Sequence, residues 1–192
     1  MSSSHPEESS EPRADSSRNR DVLTVAIVAI IALMLGVNLF MFIDDGAEEL
    51  VDEQAPGFEL PIKDQDSTMS LADKRGQVVV MEFWASWCVI CQQQLPVVEA
   101  VATDPELGDD VVAMSINTDI PGDDRMDDIE EFLEAADVSL PTLLDDGSVQ
   151  AAYNAGALPT MVVVDPDGYI VDIQVGDHAE AMVRQLVEEA AR

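Results

Sequence analysis

The sequence predicts an α/β or α+β domain with helices on both faces of a sheet, preceded by one transmembrane helix. Three observations carry this reading. From residue 55 onward, apolar runs of strand length alternate with segments of helical period. Residues 22–43 form an uncharged run broken only by Thr24, Gly36 and Asn38. Hydrophobic residues make up 47% of the 192-residue chain, too many for a wholly disordered polymer.

Taken in order, residues 1–21 are polar, rich in Ser, Glu, Pro and Arg, and read as a disordered tail. As a helix, residues 22–43 would reach about 33 Å at 1.5 Å per residue, enough for a hydrocarbon core of about 30 Å. A cleaved signal peptide has a shorter apolar region and a small-residue cleavage site. Here the run gives way to Asp44-Asp45-Gly46-Ala47-Glu48-Glu49, so it reads as an uncleaved anchor in the lipid bilayer. Arg13, Arg18 and Arg20 precede it and acids come after it, which places the N-terminus in the cytoplasm and the rest of the chain outside. Residues 44–54 read as an acidic linker. Residues 55–192 are long enough for one domain with its own core.

Within that domain, 58–61 and 68–71 are expected to open as a hairpin. Residues 77–84, continuous in Val78-Val79-Val80-Met81, suit a strand buried on both faces. A helix is expected over 88–103, a strand over 111–117 and an acidic amphipathic helix over 126–136. Then come a short strand at 140–144 and a brief helix at 149–155. Residues 160–165 and 169–175 pair across the turn Pro166-Asp167-Gly168, and 179–191 closes as a helix.

Nine Lys plus Arg against 39 Asp plus Glu leave a formal charge of −30. That balance excludes nucleic acid as a partner, since phosphate recognition needs a basic footprint. Such acidity fits a protein from a saline habitat, or a solvated surface with no special role; loss of stability at low salt separates the two. Two cysteines are too few for a disulfide-stapled scaffold or a four-thiolate zinc site.

The chemistry is concentrated in Trp84-Ala85-Ser86-Trp87-Cys88-Val89-Ile90-Cys91, where a buried strand gives way to a helix. Unpaired N–H groups and the dipole at a helix start favour a thiolate, which lowers the first thiol below about 8.5. Cys88 is therefore expected to attack, and Cys91, one turn on, to resolve the mixed disulfide. A purely structural disulfide closing so short a loop would stabilise little. Half of a metal site would lack partners, because the only histidines are His5 and His178. His178 reads as a surface or capping residue, and Asp145-Asp146-Gly147 lacks the oxygen spacing of a calcium loop.

With these residues in view, the chain resembles the membrane-anchored TlpA/ResA-like thiol–disulfide oxidoreductases of the thioredoxin superfamily. The resemblance runs from Ala55 to Arg192. It rests on Ala55-Pro56-Gly57-Phe58, Phe83-Trp84-Ala85-Ser86-Trp87-Cys88, Pro96 and Gly156-Ala157-Leu158-Pro159-Thr160. It implies a thioredoxin-like fold with a central mixed sheet, a redox-active Cys88/Cys91 pair, no small cofactor and no metal. Spacing alone leaves Pro159 open between cis and trans; the resemblance implies cis, facing the disulfide. Trp87, Leu158, Pro159 and Thr160 would then bind substrate, with the Leu158 backbone free to pair with an extended segment.

Glu82, six residues before Cys88, occupies the position of thioredoxin's buried aspartate. Its neighbours Val80, Met81, Phe83 and Trp84 are apolar, so burial should raise its pKa and equip it to take the proton of Cys91; a glutamate at a water-facing strand edge is the alternative. Two positions depart from the pattern. Ile90 stands where the family often has Pro, and Gln94 where relatives often carry Glu. The resemblance implies a periplasmic or otherwise extracytoplasmic catalyst that reduces disulfides of protein substrates, such as apocytochrome c or metal-centre assembly proteins, with electrons from a membrane thiol relay. A peroxiredoxin-like thiol peroxidase would place Pro and Thr ahead of its cysteine, where this chain has the segment from Trp84 to Trp87. A copper-binding assembly factor on the same fold would want a nearby histidine.

Overall fold

The computed structural model describes residues 26–31, 34, 50–119 and 126–192. The chain divides into two compact units, Met1–Asp45 and Gly46–Arg192. In the first, residues 26–31 and 34 are helical and exposed. Among the described residues, no helix is long and apolar enough to cross a membrane. The remainder of the expected 22–43 span, the tail 1–21 and linker residues 44–49 lie outside the described residues.

The second unit is built on a five-stranded mixed sheet of order β5-β4-β3-β6-β7. Its central strand β3 (Val78–Trp84) is parallel to β4 (Val111–Asn117) and antiparallel to β6 (Thr160–Val164). Outside these, β5 (Thr142–Leu144) runs parallel to β4, and β7 (Ile170–Val175) antiparallel to β6. A separate hairpin pairs β1 (Glu59–Pro61) with β2 (Thr68–Ser70), as the sequence predicts. The helices are α1 (Cys91–Ala102), α2 (Met126–Ala136), α3 (Ser148–Ala152) and α4 (Glu180–Ala190).

Strand alternation explains why both faces of β3 are apolar. Val79, Met81 and Phe83 point into a core shared with Leu60, Val149 and Tyr153, beneath the hairpin and α3. Val78 and Val80 point the other way, against Val98 and Val101 of α1 and Val183 and Val187 of α4. Each such side chain, once fully buried, contributes about 1.5–3 kcal/mol relative to exposure. Further along the same face, Trp84 meets Cys88, Cys91 and Leu95, and Ile129 and Phe132 of α2.

Four boundaries differ from expectation by two residues or more, and one of them is the end of the brief helix α3, which stops at Ala152 and not at residue 155. Residues 50–54 belong to the domain and not to the linker. Asp52 N–H donates to the Ile170 carbonyl (2.8 Å), Ile170 N–H to the Glu53 carbonyl (2.9 Å), and Leu50 and Val51 pack on the core. Their acidic neighbours hid an edge pairing. The reactive helix begins at Cys91 instead of Cys88, because Cys88 N–H closes a turn onto the Ala85 carbonyl (2.9 Å). The strand expected at 140–144 starts at Thr142, after Pro141, which has no N–H to give a ladder.

Candidate active site

The Trp84–Cys91 segment leaves the C-terminal end of β3, in the middle of the sheet, and turns back into α1. Cys88 and Cys91 are joined by a disulfide, with Cα atoms 5.3 Å apart. Cys91 is fully buried and Cys88 nearly so. Cys88 lies two residues ahead of Ile90, the N-cap of α1, which offers no side-chain cap. The free amides therefore remain for other acceptors, and Cys91 N–H donates to Cys88 Sγ at 3.2 Å.

An apolar rim surrounds the pair. Trp87, Val89 and Ile90 are 66%, 71% and 49% exposed, an unusual concentration beside one buried sulfur. Trp84, beneath, is fully buried and stacks on Phe132 with ring centroids 4.3 Å apart.

The Leu158–Pro159 peptide is cis, as the resemblance implies. Leu158 is half-buried and packs on the cluster that contains both cysteines. Thr160 is fully buried, and its hydroxyl donates to the Ala157 carbonyl (2.7 Å), so its side chain closes this loop instead of facing a substrate. Pro159 is buried, and its carbonyl accepts from Gly176 N–H (2.9 Å).

Glu82 is fully buried between Val80 and Trp84 on the face of β3 that carries α1, with both carboxyl oxygens unpartnered. Burial pushes its pKa well above the ordinary value of 4.5. The water-facing alternative is thereby set aside.

Two features escape a reading of the sequence. Asp119, just past β4, is buried and accepts from Ser86 N–H (2.8 Å) and Asn117 Nδ2 (2.9 Å). It thus pins the loop that carries Trp87 and Cys88. The pattern Asn117-x-Asp119 at the C-terminal end of a strand neighbouring the cysteine strand was the available signal. Gln94 of α1, also buried, accepts from the backbone N–H of His178 (2.7 Å), a contact no local pattern announces. Asp145, weighed for calcium, instead caps α3, accepting from the amides of Val149 (3.1 Å) and Gln150 (2.8 Å). Among the described residues, no group of three or more His, Cys, Asp or Glu is arranged to hold a metal ion.

Comparison with known proteins agrees with this geometry. The sequence model of the Redoxin family matches residues 50–189. The thioredoxin-like protein YneN of Bacillus subtilis is 30% identical over 137 residues, covering 71% of this chain and 78% of that protein. The thiol-disulfide oxidoreductase ResA of Halalkalibacterium halodurans is 27% identical over 174 residues, covering 89% and 95%. Among solved structures, the exposed lipoprotein thioredoxin Etrx1 of Streptococcus pneumoniae superposes with a TM-score of 0.58 at 30% identity, covering 70% of this chain and 99% of that one.

Proposed function

This chain belongs to the Redoxin family and is a ResA-like protein-disulfide oxidoreductase of thioredoxin fold; from that premise we propose that it reduces disulfides of extracytoplasmic proteins while tethered to the membrane by residues 22–43. The observation that carries the redox step is the Cys88–Cys91 bond, with an amide of the adjoining helix aimed at Cys88 Sγ. The tether rests on the uncharged run and on the arginines that precede it.

In the reduced chain, the Cys88 thiolate attacks one sulfur of a substrate disulfide. A Cys88–substrate bond forms and one substrate thiolate leaves. Once the pH is high enough for the buried Glu82 carboxyl to be ionised, Cys91 gives its proton to that carboxylate and attacks Cys88 Sγ, releasing the second substrate sulfur as a thiolate that takes a proton from water. Two electrons pass to the substrate, and the chain is left as the Cys88–Cys91 disulfide. A membrane thiol relay restores the dithiol. Trp87 and the Leu158–Pro159 backbone receive the substrate as an extended segment. Apocytochrome c and metal-centre assembly proteins are the substrate types this reading favours, because they carry cysteine pairs that must be reduced before a metal or haem is attached.

Trapping tests the proposal. In the full chain with Cys91→Ala, Cys88 should stay linked to extracytoplasmic proteins that carry a cysteine pair. In intact cells, a membrane-impermeant maleimide should label Cys88 faster at pH 7 than it labels free cysteine. An empty trap, or a Cys88 no more reactive than free cysteine, sinks the reading.

A further inference from the structure

Some contact must keep the Leu158–Pro159 backbone at a set distance from the two sulfurs, because these belong to separate parts of the chain. Cys91 opens α1 and Cys88 lies in the turn just ahead of it, to which it is bonded, while Pro159 leads into the strand β6. Two hydrogen bonds join them through the segment after β7. Gly176 N–H donates to the Pro159 carbonyl at 2.9 Å. Two residues later, His178 N–H donates to Gln94 Oε1 at 2.7 Å. Gln94 lies three residues past Cys91 on the buried face of α1. Its helix neighbours Cys91 and Leu95 belong to the cluster holding both cysteines, and Val98 and Val101, further along, to the next one. A buried amide in an apolar helix face is costly unless bonded. Its oxygen is spent on this one contact, and its Nε2 has no partner. The residue is therefore poorly explained as packing.

We propose that Gln94 is a positioning residue: it straps the reactive helix to the 176–178 segment, and through that segment fixes the spacing between Cys88 and the Leu158–Pro159 backbone at which a polypeptide substrate lies. The inference rests on the function proposed above. The strap uses the backbone N–H of His178, so the imidazole has no part in it. It also uses an oxygen that a glutamate would supply equally well, whereas a leucine would not.

A substrate that pairs with the Leu158 backbone feels this spacing, and a small disulfide that touches only Cys88 does not. The test compares the reduced full chain acting on a disulfide-bonded peptide and on hydroxyethyl disulfide. Gln94→Leu should lower kcat/KM for the peptide by about tenfold, mainly through kcat, as small misplacements of a bound substrate do. Its rate with hydroxyethyl disulfide should stay within about twofold of the parent. Gln94→Glu should restore the peptide rate, and His178→Ala should leave both rates unchanged. Hydrogen exchange supplies a second measurement. The His178 and Gly176 amides should lose protection together in Gln94→Leu, while the amides of α1 keep theirs. Should the leucine variant fail to fold, Gln94→Asn, one methylene too short to reach His178, carries the same comparison. Equal loss on both substrates, no loss on either, or unchanged protection of Gly176 overturns the strap and leaves the proposed function standing. A parent chain that reduces no disulfide-bonded peptide overturns both.

Discussion

Glu82 sets the sharpest conflict in the molecule, since a carboxyl with both oxygens unpartnered in the core weakens the fold it belongs to. The sign comes from its raised pKa. Above the ordinary value of 4.5, the unfolded chain releases this proton while the folded chain keeps it. The folded state then binds more protons than the unfolded, and stability falls as pH rises, until the buried group itself ionises. Within that window the slope is about 1.4 kcal/mol per pH unit for this one group. Glu82→Gln removes the slope. Its stability relative to the parent, by urea denaturation at stepped pH from 5 upward, should therefore grow with pH and level off where the buried carboxyl ionises. In the pH range where the parent's Glu82 is ionised, the same variant should slow resolution of the mixed disulfide in single-turnover experiments, because Cys91 loses its proton acceptor. Parallel pH curves for parent and variant would remove the basis for both expectations.

At the scale of elements, the loop from Trp84 to Cys88 is held less by its own residues than by the end of β4. Asp119 accepts the Ser86 amide and is itself oriented by Asn117, whose Oδ1 accepts the Asp119 N–H at 3.2 Å. Asp119→Ala orphans a backbone donor beside the reactive sulfur and should cost about 1–3 kcal/mol in chemical denaturation. Asp119→Asn, which retains an acceptor, should cost less; a loss below about 0.5 kcal/mol for the alanine variant would mean the loop holds itself. This anchor also marks where sequence reading stops. Elements whose pattern is local were legible: the Val78–Met81 run as β3, the spacing of Ile129 and Phe132 as α2, and Pro166-Asp167-Gly168 as the turn into β7. The cysteine pair was legible for the same reason, its meaning lying in a spacing of three. The start of α1 was not, because a turn closed by Ala85 and Cys88 competes with the first helical turn and leaves no mark on the apolar period. Asp119 meeting Ser86 and Gln94 meeting His178 span 33 and 84 residues, and pairings of that range are set by topology and not by neighbours in the chain.

Across the whole molecule, 39 acids face 9 Lys and Arg, and the described ion pairs offset little of this. Arg184 gathers Asp104, Glu106 and Glu180 at one corner, and its hydrogen bond to Asp104 holds that carboxyl below the ordinary range. Lys63 pairs with its neighbour Asp64. Pairs of this kind, near the surface, contribute little and weaken in salt. The remaining acids far outnumber the cations, so repulsion prevails in the field of the whole molecule, and salt weakens that repulsion too. Screening shortens from about 10 Å at 0.1 M to about 3 Å at 1 M, so it removes many repulsive terms for each attractive one. The net effect of salt should therefore be stabilising. The melting temperature of the oxidised chain should rise by roughly 5 °C or more between 0.05 and 1 M KCl, with NaCl acting alike, since a gain of 1–2 kcal/mol moves a domain of this size by that much. A curve that is flat or falls with added salt would mean that the surface acids are far enough apart to ignore one another, and the saline-habitat reading of the composition would lose its physical footing.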